Sequence, residues 1–219
     1  MSNKVSRGLR IYQEWLSLQD TRILVQRAQK NDLGAFEELV RLYQDRVYGL
    51  SYHLTGNRDD AQDLAQEAMI RAYKALGSFR HEADFGTWLH RITLNVWLNI
   101  KRKNNPVIFS LDEAIKNDDG SSLQREVAAP DGDPLEALEE SEFRALVRTA
   151  LNSLSVEHRA VLVLREIEGY SYEEVSHLLG CSLGTVKSRL SRAREVLRRG
   201  MKELGRQAGR DVAAARERR

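Results

Sequence analysis

The sequence predicts an all-α protein of two small helical domains joined by a flexible acidic linker. Three observations carry that prediction. Apolar residues recur at helix spacing through two blocks of the chain, and β-branched alternating runs are scarce. All three prolines, Pro106, Pro130 and Pro134, fall between the blocks. A chain of 219 residues, 42% hydrophobic and 30% charged, is long enough to bury two modest cores.

Composition excludes several functions. Cys181 is the sole cysteine, which rules out an intrachain disulfide and argues against a cysteine-based zinc site. The five histidines show no HExxH spacing, and neither a P-loop nor a GxGxxG is present. No metal, cofactor or catalytic group is therefore expected. No apolar run approaches the ~20 residues of a membrane span, and MSNKVSRGLRIYQEW lacks the apolar core of a secretory signal. The expected location is the cytoplasm, with no membrane insertion.

The first domain is predicted over 20–103. Phe36, Leu39, Val40, Tyr43, Val47, Leu50 and Leu54 keep helix spacing. After a break at TGN, a second stripe runs through Ala61, Leu64, Ala65, Ala68, Met69, Ala72, Tyr73 and Leu76, with Asp59 and Asp60 placed to favour the helix N-terminal dipole. The loop GSFRHEAD leads to a third helix, whose stripe is Phe85, Trp88, Leu89, Ile92, Val96 and Ile100 and whose end carries Lys101, Arg102 and Lys103.

From 104 to 140 the composition changes. Ten acidic residues stand against Lys116 and Arg125, beside the three prolines and Gly120, Ser121 and Ser122. Such a segment buries too little apolar surface to offset its conformational entropy, so it is predicted to be a tether.

The second domain is predicted over 141–204. It opens with a helix bearing Leu146, Val147, Ala150, Leu151 and Leu154, followed by the uniformly apolar, hence more buried, EHRAVLVLREIEG. In SYEEVSHLLG, Ser171 and Glu174 have capping-box spacing, Val175, Leu178 and Leu179 face inward, and Gly180 suits a left-handed stop. Ser182 is placed to cap the next helix, GCSLGTVKSRLSRAREVLRR. A short helix, a glycine turn and a longer basic helix form a helix-turn-helix pattern.

Charge agrees with that pattern. From Gly180 to Arg219 twelve Lys and Arg stand against four acidic residues, which points to a polyanion partner. In the basic helix Val186, Leu190, Ala193 and Leu197 face inward, leaving Gly184, Ser188, Ser191 and Glu195 opposite, flanked by Lys187 and Arg192. Small residues at the centre of that face allow close approach to a major-groove floor, while the flanking cations can donate to guanine edges or phosphates. Thr185, Lys187, Ser188, Arg189, Ser191 and Arg192 are the candidate DNA-reading residues; Arg194, Arg198 and Arg199 are equally explained as a solvated cationic face.

YSYEEVSHLLGCSLGTVKSRLSRAREVLR resembles the promoter-reading helix-turn-helix of bacterial sigma factors, specifically the extracytoplasmic-function (ECF) group. DAQDLAQEAMIRAYKAL and SFRHEADFGTWLHRITLNVWLNIKRK resemble the core-polymerase-binding helix and promoter-melting region of the same group. The resemblance implies a sigma region 2-like bundle, a sigma region 4-like domain and a transcription initiation factor for RNA polymerase core and promoter DNA. It implies that the face bearing Asp60, Asp63, Gln66, Glu67 and Arg71 docks on the polymerase clamp coiled coil, with the second domain on the flap. It implies that Phe79, Arg80 and Asn95 capture an unstacked base. His90, Arg91, Lys101, Arg102 and Lys103 are read as phosphate contacts, with compensation of the helix-end dipole an equal alternative. An anti-sigma factor, able to hold the chain at the membrane, is implied as a further partner.

Two other readings are weighed against it. A helix-turn-helix regulator that never joins polymerase leaves 20–103 unexplained, and a carboxylate-metal nuclease using Asp59, Asp60, Asp63 and Glu67 lacks a ligand from another element. Residues 1–19 form an N-terminal extension, 205–219 are expected to be a disordered basic tail, and Cys181 is expected to be a small buried hydrophobe.

Overall fold

The computed structural model describes residues 20–104 and 145–217, so the extension 1–19 and the acidic linker beyond Asn104 lie outside the described residues. Every regular element among them is helical. The chain divides into two compact units, the first built mainly from the helices before the linker and the second from those after it.

The first unit opens with α1, residues 20–28. The chain turns at Asn31, whose φ of 66° is a left-handed conformation that asparagine tolerates. Asp32 then starts α2 (Leu33–Thr55): its carboxylate accepts from the Ala35 amide at 3.1 Å and from Arg27 Nε at 2.9 Å. The amide first and the guanidinium second hold the Asp32 carboxyl below its ordinary value. After the left-handed Gly56 come α3 (Arg58–Ala75), with Asp59 and Asp60 in its first turn, a 3-10 turn (Leu76–Ser78) and α4 (Phe85–Asn104).

The core of this unit joins Leu39, Tyr43 and Val47 of α2 to Ala68 and Ala72 of α3 and to Phe85, Trp88 and Leu89 of α4. Alanines on α3 let the neighbouring helices approach closely, and each large apolar side chain buried stabilises by roughly 1.5–3 kcal/mol. The stripe expected on α4 holds at Phe85, Trp88, Leu89 and Val96, whereas Ile100 is exposed and His90, Thr93, Leu94 and Trp97 are buried as well. Packing therefore encloses α4 around most of its circumference.

In the second unit, α5 (145–152) is followed by Ser155, whose hydroxyl accepts from the His158 amide to cap α6 (Val156–Leu162). As the apolar run predicts, residues Ala160 to Leu164 are all buried. The helix then widens into a π turn (Val163–Ile167), closed by a bond from the Glu168 amide to the Val163 carbonyl. α7 (Tyr172–Leu179) has the predicted capping box in full: Ser171 Oγ accepts from the Glu174 amide at 3.2 Å, and Glu174 Oε2 accepts from the Ser171 amide at 2.7 Å.

Gly180 ends α7 at φ 61°, and its amide donates to the Ser176 carbonyl. The Ser176 hydroxyl then donates to the Cys181 carbonyl at 2.6 Å, and Ser182 Oγ accepts from the Thr185 amide at 3.1 Å to start α8 (Leu183–Glu217). Cys181 is half-buried rather than buried. α8 packs on α6 and α7 through Val186, Leu190 and Ala193.

α8 is helical through Glu217. Alanine, arginine, glutamate and glutamine are strong helix formers, and Gly205 and Gly209 each cost only about 1 kcal/mol relative to alanine.

Gly180 generates a prediction. A Cβ there meets nothing within 4 Å, so Gly180→Ala tests backbone strain alone. Thermal unfolding of the second unit is expected to show a loss of about 1 kcal/mol.

Candidate functional site

Three surfaces collect the residues singled out in the sequence. The first is on α3. Asp60, Asp63, Gln66 and Arg71 are exposed and Glu67 is half-buried, opposite buried Ala61, Leu64, Ala68 and Ala72. Glu67 accepts a hydrogen bond from Arg71 Nε at 2.6 Å, an i,i+4 pair that presents both charges as one unit. Among the described residues no three His, Cys, Asp or Glu side chains group as a metal would require.

Two apolar residues on this surface escape a reading of the sequence. Ile70 is 43% and Tyr73 44% exposed, and the Tyr73 ring packs on Phe36 of α2 with centroids 4.9 Å apart. Spacing alone puts Tyr73 in the buried stripe, because tyrosine continues the period. Ile70 is an apolar residue within the polar face, in line with Asp63 two turns earlier, and that position is the signal that could have found it. The face is therefore amphipathic, with an apolar patch beside paired charges.

The second surface is α4 and the loop before it. Arg80 is exposed on that loop, but Phe79 is buried, its ring 4.9 Å from Trp88 and 5.8 Å from Phe85. Phe85 in turn meets Trp88 and Tyr43. The Gln29 side-chain amide donates to the Leu76 carbonyl at 3.1 Å and to the Phe79 carbonyl at 2.9 Å, which fixes the loop backbone. Phe79 thus anchors the loop in the core and presents no ring face to a base. Asp84 caps α4 through the Thr87 amide and hydroxyl.

Phosphate contact by His90 is likewise corrected, since it is only 1% exposed. Its place on the helix explains the difference: α4 is enclosed on that side, and a polar residue type does not reveal it. Arg91, Asn95, Asn99 and Arg102 are exposed about one turn apart and form a narrow polar strip, with Lys101 half-buried at its edge. Asn99 is absent from the sequence candidates, although its i+4 spacing from Asn95 marks it.

The third surface is α8. Lys187, Ser188, Ser191 and Arg192 are exposed, opposite the buried Val186, Leu190 and Ala193. Arg189 is half-buried on the flank. Thr185 is committed to the cap, its hydroxyl 2.8 Å from that of Ser182, and Ser188 Oγ donates back to the Thr185 carbonyl. Arg194, equally explained by sequence as a solvated cation, donates to Glu166 on the π turn.

Comparisons with known proteins cover both units. The family model "Sigma-70 region 2" matches residues 39–106, and "Sigma-70, region 4" matches 144–197. The RNA polymerase sigma-H factor of Pseudomonas aeruginosa is 37% identical over 196 residues, 88% of this chain and 100% of its own length. The chain belongs to the ECF family of RNA polymerase sigma factors. The ECF sigma-E factor of Escherichia coli is 38% identical over 180 residues, 80% of this chain and 91% of that one. Among solved structures, the sigma factor RpoE in complex with the anti-sigma factor NepR, from Bartonella quintana, is 27% identical with a TM-score of 0.57. It aligns over 76% of this chain and 96% of that one.

The region 2 match of this sigma factor takes in α3, the anchored loop and the strip on α4, while α1 and the Asp32 cap precede it. The region 4 match takes in the helix-turn-helix and stops at Leu197, leaving residues 198–217 of α8 outside.

The burial of Phe79 yields a prediction. Phe79→Ala is expected to destabilise the first unit by about 3–5 kcal/mol, as emptying an aromatic core site does. Thermal unfolding checks it; an unchanged melting temperature would show that the ring is dispensable to the core.

Proposed function

We propose that this sigma factor joins RNA polymerase core through α3, reads an upstream promoter element with α8 and holds an opened strand of the downstream element along α4. The observation that carries this reading is that one chain presents, on separate folded units, an exposed amphipathic α3 face and a capped helix-turn-helix with a cationic outer face. A DNA reader alone has no use for the first.

Each surface suits its part chemically. Ile70 and Tyr73 give the α3 face apolar area to bury against a partner helix, and Asp60, Asp63, Gln66, Glu67 and Arg71 give it polar selectivity. Opening a duplex costs a few kcal/mol per unstacked base, so the freed strand needs a surface to hold it. Asn95 can pair with a base edge while Arg80, Arg91, Lys101 and Arg102 meet phosphates. On α8, Lys187 and Arg192 flank small serines, which lets the helix sit deep in a major groove. Arg189, on the flank, contacts the backbone, and the Thr185 hydroxyl contributes by rigidifying the helix start.

Solved relatives are in complex with anti-sigma partners, RpoE with NepR and CnrH with the cytosolic domain of CnrY. We infer an inhibitor of this kind for this chain too, covering both polymerase-binding faces. The reading places the protein in the cytoplasm with polymerase and assigns it no enzymatic activity of its own.

The deciding experiment mixes the full chain with purified core polymerase. Co-elution and specific transcript initiation are expected; DNA binding without core binding would overturn the reading. Glu67→Ala is expected to weaken core association without lowering the melting temperature. Asn95→Ala should impair duplex opening, followed by permanganate reactivity of unpaired thymines, more than closed-complex binding, and equal loss in both would remove Asn95 from base capture. Arg192→Ala is expected to cost roughly 1–3 kcal/mol for the preferred sequence over a shuffled one.

A further inference from the structure

Four side chains meet where α7 begins and α8 passes the π turn. Arg194 Nε donates to Glu166 Oε1 at 3.1 Å, and Arg194 Nη2 donates to the same oxygen. Glu166 first, and the Tyr172 hydroxyl after it, hold the Arg194 guanidinium above its ordinary value. The Arg165 guanidinium lies 5.0 Å from the centroid of the Tyr172 ring, and its Nη1 donates to the Tyr170 carbonyl at 2.7 Å. These links join the π turn, the start of α7 and the middle of α8.

The same place borders the DNA-reading face. An open groove beside the network is lined by Tyr172, Lys187, Ser191, Arg194, Glu195 and Arg198. A cation here can serve as a phosphate contact or as a strut, and the geometry favours the strut. The carboxylate already occupies Nε and Nη2, one of the two guanidinium edges that could grip a phosphate in bidentate fashion. The Arg194 and Glu166 side chains are 52% and 43% exposed, so the pair adds little to stability. What it does supply is direction. It pins α8 near Ser191 and Arg192 to an element 28 residues earlier in the chain, and the π turn is what carries Glu166 there.

We infer that Arg194 is a positioning residue: clasped by Glu166, it sets the rotation of α8 about its own axis and so aims Lys187, Ser191 and Arg192 at the bases without touching DNA itself. This rests on α8 being the DNA-reading helix, as proposed above. Arg192 and Arg194, two residues apart and identical in chemistry, then have different duties, because the helix turns Arg194 toward the π turn and Arg192 toward the outer face.

The test uses full-length chain assembled with core polymerase. A preferred duplex is enriched from a randomised pool by the wild-type holoenzyme, and a companion duplex has only its upstream half shuffled. Binding to both is measured across a salt series, well below each variant's melting temperature, for Glu166→Gln, Arg194→Gln and the exchange Glu166→Arg with Arg194→Glu. Each single change is expected to lower the preference ratio by roughly two- to fivefold, with the salt slope unchanged, and the exchange is expected to restore most of the ratio.

Arg194→Gln weakening both duplexes equally, with a salt slope smaller by about one, would make Arg194 a phosphate contact and overturn the inference. A wild-type ratio in Glu166→Gln, or a lowered melting temperature with an unchanged ratio, would overturn it too. A wild-type holoenzyme with no upstream preference would instead bring down the reading of α8, and this inference with it.

Discussion

Both nucleic-acid surfaces proposed for this sigma factor begin at helix ends, and every helix end leaves backbone groups without an internal partner. Meeting that demand governs the structure. At the loop before α4, one side chain, Gln29, donates to two carbonyls, those of Leu76 and Phe79. At the helix-turn-helix, Ser176 serves twice: its carbonyl takes the Gly180 and Cys181 amides, and its hydroxyl donates to the Cys181 carbonyl. Ser182 and Thr185 then close the start of α8. The connection from α7 to α8 is thus a chain of satisfied groups with little freedom left, and the angle between the helices follows from it. A DNA-reading helix depends on that angle, because a small displacement of a donor breaks a base contact.

Legibility in the sequence tracks how local each interaction is. The capping box at Ser171 and Glu174, the left-handed stop at Gly180 and the cap at Ser182 are decided within a few residues, and all three stand as the sequence implies. The amphipathic face of α3 is legible for the same reason, since helix periodicity needs only one wet side. Where periodicity fails, tertiary burial has intervened. Phe79 and His90 look like surface chemistry in a loop and on a polar register, yet both are buried. Nothing adjacent in sequence announces that α4 is enclosed on most sides. The π turn and the ion pair from Glu166 to Arg194 are invisible for a related reason, because the pair joins elements that only the fold brings together.

Burial also underlies the strip exposed on α4. An exposed strip as narrow as Arg91, Asn95, Asn99 and Arg102 can hold a flexible single strand only if the helix beneath it does not move. The aromatic packing of Phe79, Phe85 and Trp88 supplies that rigidity, with Tyr43 bracing it from α2. Phe79 therefore supports the loop and α4 from the core, and the strip is ordered when the domain folds.

Charge pairing narrows the cationic surface in a way that composition conceals. From Gly180 onward the chain carries twelve basic residues, but they are not equivalent. Arg194 is held by Glu166, and Arg199 lies 4.0 Å from Glu195. These carboxylates are attached to α8 or to the π turn beside it, so they travel with the helix and subtract from its charge wherever it docks. A phosphate that recruits such an arginine must compete with a tethered anion. Sequence-reading helices gain from that competition: an unopposed cation pulls toward any duplex, and a tethered pair orients the helix without adding to that indiscriminate pull.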